Sequence, residues 1–259
     1  MKSTPAIIKH IPNFITSMNL LSGCIAIAFS FDPGLHRYAP WFIFLAAAFD
    51  FLDGFSARLL HAYSEIGKQL DSLADVVSFG LAPGCLLFQV MHFILNRENP
   101  FFSLYSPGFA GAAFLLACFL IPIFGAIRLA RFNIDDTQKY SFSGLPIPAN
   151  AVFFASIVLL LYTTRVEAVR SILLNKYVLL SFSALFSFLM ISRIPMISLK
   201  FKNLALKENF GKYILIAGSV ILVVIGGYAG LAAIIPFYIL VSLLFGSKPV
   251  NARLLTPDR

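Results

Sequence analysis

Four aspartates with helical spacing stand within residues 47–80, in two segments whose other residues are largely apolar. Asp50 and Asp53 are three residues apart and Asp71 and Asp75 are four apart, so each pair would lie on one helical face. Crowded carboxylates need compensating positive charge, because repulsion and desolvation both oppose their ionisation. Oxygen ligands favour Mg²⁺ or Mn²⁺ over zinc, and two such ions can hold a diphosphate during phosphoryl transfer. The cluster therefore predicts a two-metal site that acts on a phosphate anhydride.

Two antiparallel helices joined by a turn near residues 62–63 would bring these aspartates together. Counting back from the turn places Asp50 level with Asp75, and Asp53 level with Asp71, so the four carboxylates would form two layers of one cluster. Small residues on the same faces would either allow close helix packing or leave space for a ligand. These small residues are Gly54, Ala57 and Gly67.

The whole composition is that of an integral membrane protein. Hydrophobic residues make up 59% of the chain, charged residues only 12%, and the mean hydropathy is +0.84. The pattern predicts an all-α polytopic membrane helix bundle with about eight transmembrane helices, six forming a catalytic core and two a C-terminal pair. Because the last two apolar runs lie so close together, six or seven spans remain alternatives. The predicted helices are residues 13–31, 38–60, 67–95, 108–131, 148–164, 175–192, 212–227 and 230–246.

The distribution of basic residues predicts the orientation in the membrane. With both termini inside, 15 of the 20 Lys and Arg residues lie on the cytoplasmic side, as the positive-inside rule requires. The aspartates would then lie at the cytoplasmic face of the cell's inner (plasma) membrane. We expect residues 1–195 to form the core and residues 196–259 a basic cytoplasmic loop, the helix pair and a tail. The net charge of +8 does not indicate a nucleic-acid partner, because the basic residues form no contiguous surface.

The aspartate spacing resembles the signature of the CDP-alcohol phosphatidyltransferase family, which has eight defined positions. All eight match: Asp50, Asp53, Gly54, Ala57, Arg58, Gly67, Asp71 and Asp75. The resemblance implies that the first three aspartates bind two metal ions and the CDP diphosphate. It implies that Asp75 completes the acidic cluster and is the general base that deprotonates the acceptor alcohol. Gly54, Ala57 and Arg58 would line the nucleotide pocket, with Gly67 packed closely beside it.

Other stretches resemble the members of this family that use serine. These are "IPNFITSMNLLSG", "ADVVSFGLAPG", "AIRLARFN" and "FSGLPIPAN". The resemblance implies that CDP-diacylglycerol and L-serine are the substrates and that CMP is released. Arg128 or Arg131 would bind the serine carboxylate, although both could simply snorkel at the membrane surface.

The remaining candidate residues have a structural alternative. Ser78 and Asn133 are candidate polar groups of the acceptor pocket, with loop capping as the alternative. Asn13, Thr16 and Asn19 could reach the cytidine, but the first two could equally cap helix 1.

Two other functions remain open from the sequence. A transferase of the same family could use another acceptor, such as glycerol 3-phosphate, inositol phosphate or an amino alcohol. A cation-coupled transporter would also carry membrane aspartates, but its acids are expected near the bilayer midplane. The bundle could form a homodimer within the membrane lipids, although no motif identifies an interface.

Overall fold

The computed structural model describes residues 6–99, 103, 108–134, 142–197, 205–206 and 209–246, and these are mostly helical. The helices are α1 (Ala6–Phe31), α2 (Ala39–Leu59), α3 (Glu65–Asp75), α4 (Ala82–Glu98), α5 (Gly108–Ala117), α6 (Leu120–Ile134), α7 (Ile147–Thr163), α8 (Glu167–Leu173), α9 (Lys176–Ile191) and α10 (Phe210–Phe245). A 3₁₀ turn, His36–Tyr38, precedes α2, and a π-helical segment, Val76–Leu81, joins α3 to α4. Two short strands, β1 (Phe142–Ser143) and β2 (Pro195–Met196), pair antiparallel. The prediction of a helical bundle is confirmed, with this two-residue ladder as an addition.

The described helices are those of an integral membrane protein. Four segments are long and apolar enough to cross a bilayer: His10–Phe31, Glu65–Glu98, Gly108–Ile134 and Phe210–Phe245. A fifth results if α8 and α9, bent by 62° at a short break, form one span. Helix α8 lies between the predicted helices 148–164 and 175–192, where no helix was predicted. The prediction of eight spans with both termini inside remains a prediction, and several basic residues that determine it lie outside the described residues, including Lys2, Lys139, Lys200 and Arg253.

The C-terminal helix α10 turns back on itself at Gly227. This residue has φ 54° and ψ −125°, which are not helical values. A β-carbon added at Gly218 would lie 2.4 Å from the ring of Phe237, and one at Gly211 would lie 2.7 Å from the side chain of Phe245. Residues so far apart along a straight helix would be about 28 Å or more from each other. The helix is therefore an antiparallel hairpin, in agreement with the predicted C-terminal pair.

One hydrophobic core joins the N-terminal helices to this hairpin. Phe79, Leu86 and Phe154 are fully buried at its centre, and Ala232 and Ile235 of the hairpin belong to the same cluster. Helix α1 packs against α2, α3 and α4, whereas the hairpin packs mainly on α7. The core is therefore continuous across the predicted boundary at residue 195, and the division there into two units stays a prediction.

The turn between α2 and α3 is defined by local hydrogen bonds. His61 has a positive φ of 49°, and the amide of Ala62 donates to the carbonyl of Ala57 at 3.0 Å, so α2 ends in a left-handed cap. Ser64 then caps α3, because its hydroxyl accepts a hydrogen bond from the amide of Gly67 at 2.9 Å. This short connection fixes the level at which the two acidic helices face each other.

Candidate active site

The acidic residues of α2 and α3 form one cluster. Carboxylate oxygens of Asp50, Asp53 and Asp71 all lie within 4.8 Å of one another. Asp75 is buried one turn deeper, close enough to interact electrostatically with the other three, and its strongest charge interaction is with Asp50. The spacing thus correctly brings the aspartates together, whereas their division into two matched layers stays a prediction.

Helix α1 completes the cluster and holds two of its carboxylates. The hydroxyl of Thr16 donates to Asp53 Oδ2 at 2.7 Å, and the side-chain amide of Asn19 donates to Asp75 Oδ1 at 3.3 Å. Both side chains are buried. Because α1 begins at Ala6, Thr16 and Asn13 lie in its interior, so the capping alternative for these residues was wrong. Asn19 lies against Asp75, whereas Asn13 and Thr16 line the cavity described below.

Helices α2 and α3 make at most a few direct contacts with each other, whereas both pack on α1. The space between them is a cavity of about 560 Å³. It is lined by Pro12, Asn13, Thr16, Asp53, Gly54, Ala57, Arg58, Ala62, Tyr63, Ser64, Glu65, Gly67, Lys68 and Asp71. Small residues were predicted either to allow close helix packing or to leave space for a ligand. At Gly54 the structure therefore shows space for a ligand.

The two signature glycines act differently. A β-carbon at Gly54 would have only Arg58 Nη1 near it, at 3.7 Å, so glycine keeps this wall of the cavity open. A β-carbon at Gly67 would lie 2.7 Å from Asn13 Oδ1 and 2.8 Å from the hydroxyl of Ser64. A side chain at position 67 would therefore displace either the contact with α1 or the cap of α3.

The donor set fits a divalent cation. Three carboxylates with oxygens this close together provide the hard oxygen ligands that Mg²⁺ and Mn²⁺ prefer. The basic side chains that line the cavity, Arg58 and Lys68, are both exposed, and Arg58 interacts electrostatically with the buried Asp53. The cluster could therefore bind metal through Asp50, Asp53 and Asp71, with Asp75 adjacent.

The two candidate arginines of α6 differ in environment. Arg128 is only 8% exposed, and its Nε is buried without a hydrogen-bond partner among the described residues. Its guanidinium interacts electrostatically with Tyr238 and Asp75. Arg131, one turn further along, is exposed. Snorkelling therefore accounts for Arg131 but not for Arg128.

Ser78 and Asn133 take part in contacts between helices. Ser78 is fully buried in the π-helical segment, and its hydroxyl donates to the backbone carbonyl of Asn19 at 2.9 Å. A β-carbon at Gly23 of α1 would lie 2.3 Å from the Ser78 hydroxyl, so the two helices touch there. Asn133 donates to the hydroxyl of Ser72 at 2.9 Å and links α6 to α3. A role for either residue in acceptor binding stays a prediction.

Sequence reasoning missed several residues of this site. The link of Asn19 to Asp75 was not predicted, and neither was the contribution of Tyr63, Ser64 and Glu65 to the cavity. The available signal for Asn19 was its position, because it is a polar residue on the same face of α1 as Thr16.

The fold and site together define a polytopic helical membrane protein with an acidic centre suited to a diphosphate. A family model described as CDP-alcohol phosphatidyltransferase matches residues 9–188. The chain belongs to this family, and the resemblance found in the sequence is confirmed. Its members are generally divalent-metal dependent, consistent with the acidic cluster.

Several curated relatives of this chain have names that include serine. A CDP-diacylglycerol–serine O-phosphatidyltransferase from Bacillus subtilis is 37% identical over 140 residues, which cover 54% of this chain and 70% of the relative. One from Helicobacter pylori is 38% identical over 153 residues, 58% of this chain and 57% of the relative. An archaetidylserine synthase from Methanothermobacter thermautotrophicus is 32% identical over 166 residues, 61% of each chain. The chain thus spans between about half and two thirds of most of these relatives.

Proposed function

We propose that this protein is a metal-dependent CDP-diacylglycerol–serine O-phosphatidyltransferase of phospholipid biosynthesis, which makes phosphatidylserine and CMP. The observation that carries the proposal is the cluster of Asp50, Asp53 and Asp71 beside the 560 Å³ cavity, with the buried Asp75 next to it. The family supports the CDP-linked donor, and the names of the relatives support the serine acceptor. CDP-diacylglycerol and L-serine are the substrates of this proposal.

The residues that line the cavity would bind the CDP group. Two metal ions, Mg²⁺ or Mn²⁺, would be held by Asp50, Asp53 and Asp71. Asp75 would lie at the edge of this ligand set. When bound, the metal supplies Lewis-acid stabilisation of the charge on the diphosphate oxygens. The open wall at Gly54 and Ala57 admits the nucleotide, with Arg58 near its phosphates. Gly67 keeps α3 against α1.

Asp75 would act as general base in a single displacement. Its carboxylate accepts the proton of the serine hydroxyl while the hydroxyl oxygen forms a bond to the phosphorus of the phosphatidyl group. The bond from that phosphorus to the bridging oxygen breaks, and its electron pair leaves with CMP. Asn19 orients the Asp75 carboxylate through its hydrogen bond to Oδ1. No covalent enzyme intermediate is needed.

Arg128 would bind the serine carboxylate. It is a buried cation on α6, within electrostatic reach of Asp75, and its Nε has no partner among the described residues. A buried guanidinium without a hydrogen-bonded anion is costly, and an acceptor carboxylate would relieve this cost. Ser78, Asn133 and the exposed Arg131 remain weaker candidates for the acceptor pocket. We place this site at the cytoplasmic face of the plasma membrane, in a protein that could be a homodimer.

The test is CMP release by the purified protein in detergent with CDP-diacylglycerol and a panel of acceptors. Serine should support turnover, and glycerol 3-phosphate and inositol phosphate should not. Chelating divalent cations should abolish turnover, and Mg²⁺ or Mn²⁺ should restore it. Use of another alcohol instead of serine would refute the acceptor, whereas full activity in strong chelator would refute the metal site.

A further inference from the structure

A second cavity lies at the opposite end of the bundle from the acidic cluster. Its volume is about 490 Å³. Along α1, Thr16 borders the first cavity and Ser30 the second, a separation of about 21 Å at the helical rise per residue. The second cavity is lined by Ser30, Phe31, Pro33, His36, Gln89, Val90, His92, Phe93, Asn96, Leu161, Tyr162, Thr164, Arg170 and Leu174. It shares no residue with the first, so the proposed transfer reaction does not use it.

The inner part of this cavity is suited to a cation. Phe31, Asn96 and Tyr162 belong to the last turns of α1, α4 and α7, so three helices direct their C-terminal ends toward it. The last carbonyls of a helix have no partner within it and carry partial negative charge. Phe31 and Tyr162 add aromatic rings, whose faces attract ammonium groups. These features favour an amine.

The second cavity also has one fixed positive charge. Among the described residues that line it, Arg170 on α8 is the only Lys or Arg, and none is Asp or Glu. The imidazole of His36 lies 2.6 Å from the Tyr162 hydroxyl through Nδ1. Burial lowers the pKa of His36 below its ordinary value, so this imidazole adds no charge at neutral pH. Arg170 therefore has no carboxylate in the cavity and is suited to a phosphate.

The third feature is an apolar wall at the end of the bundle. Val90, Phe93, Leu161 and Leu174 line one side, and Phe93 is 56% exposed on the outer surface. Polar side chains of α4 that face the same cavity, Gln89 and His92, are three residues apart on a helix long enough to span a bilayer. A ligand here would therefore meet polar groups and hydrocarbon together, as the headgroup region of a phospholipid does.

We propose that this cavity binds a zwitterionic phospholipid whose headgroup carries a primary ammonium and a phosphate. The ammonium lies among the helix C-termini and aromatic rings, the phosphate pairs with Arg170, and the acyl chains leave along the wall formed by Phe93 and Leu174. The lipid belongs to the membrane leaflet opposite the acidic cluster. An anionic headgroup without the ammonium lacks the first of these interactions, and a neutral diacylglycerol lacks both.

The proposal is tested by lipid retention on the delipidated full-length protein, measured by native mass spectrometry. The probes are phosphatidylethanolamine, phosphatidylglycerol and diacylglycerol with identical acyl chains, all with CDP and Mg²⁺ present to occupy the first cavity. Phosphatidylethanolamine should be retained several-fold better than phosphatidylglycerol. Arg170→Gln should reduce retention of both phospholipids about tenfold, as expected for a lost charge-assisted contact. Phe31→Leu should reduce phosphatidylethanolamine retention about threefold and leave phosphatidylglycerol unchanged.

Arg165→Gln is the matched control, because Arg165 is exposed near α8 but does not line the cavity. It should change nothing, and all three variants should keep the CMP-release activity of the unmodified protein. Equal retention of the two phospholipids, or no effect of Arg170→Gln, would overturn the proposal. If diacylglycerol were retained as well as phosphatidylethanolamine, the cavity would bind lipid only through its apolar wall. If millimolar inorganic phosphate displaced the lipid, the site would be assigned to a soluble anion.

Discussion

Replacing Arg128 by glutamine separates two possible roles of this buried cation. If its guanidinium binds the acceptor carboxylate, the variant loses a charge-assisted contact in a desolvated site, since Arg128 is only 8% exposed. Such contacts contribute about 1.5 to 3 kcal/mol, which corresponds to a rise of roughly 10- to 150-fold in the serine KM. The KM for CDP-diacylglycerol should change little, and Arg128→Lys should restore only part of the affinity, because it lacks the planar fork.

The assay is CMP release with serine and with ethanolamine, which has the hydroxyl and amine of serine but no carboxylate. Ethanolamine should be a poor acceptor for the unmodified protein and lose little more in the variant. Arg131→Gln is the matched control one turn away, exposed on the same helix, and should leave the serine KM unchanged. Because Arg128 also interacts with Asp75, an equal loss of turnover with both acceptors would refute the reasoning and make Arg128 a counter-charge for the base.

Three further substitutions test other parts of the site. Asp75→Asn should lower turnover by about 10²- to 10⁴-fold while CDP-diacylglycerol still binds in an equilibrium assay, and an equal loss of binding would make this residue chiefly a metal ligand. Gly54→Val should raise the CDP-diacylglycerol KM at least about tenfold without lowering the melting temperature, because the side chain would enter the cavity and valine is a better helix former than glycine. An unchanged KM would show that the nucleotide lies elsewhere. Ser78→Ala should cost about 1 kcal/mol of stability, through the lost bond to the Asn19 carbonyl, with no change in the serine KM. A raised serine KM at unchanged stability would instead support acceptor binding by Ser78.

The acidic cluster could be predicted because its geometry is local. Asp50, Asp53, Asp71 and Asp75 lie on two helices joined by a short turn, and helical periodicity alone sets which side chains share a face and a level. Electrostatics then requires a counter-charge, whatever the rest of the fold may be. The helix reversal near Gly227 was predictable for the same reason, because two apolar runs separated by glycines are adjacent in the sequence.

The contribution of α1 could not be predicted in this way. Thr16 and Asn19 reach Asp53 and Asp75 across 37 and 56 residues of sequence, and no local pattern gives the rotation of one helix against another. The unequal burial of Arg128 and Arg131 has the same origin, because both carry the same side chain near the end of α6. It depends on which side of that helix packs on α9 and on the π-helical segment.

The π-helical segment Val76–Leu81 divides the long helix formed by α3 and α4, which packs on α1 along both halves and also meets α6. Before it, Asp75 faces α1, whereas beyond it Gly84 packs so closely on α6 that an added β-carbon would lie 3.2 Å from Pro122. Each residue of an α-helix rotates the direction of the side chains by about 100° around the helix axis. A π-helical turn contains more residues, so it rotates the side chains of α4 relative to those of α3. A one-residue insertion or deletion in α4 could be absorbed by converting this segment to or from a regular turn. The level of the aspartates against α1 would then be kept while the outer half of the helix changes in length.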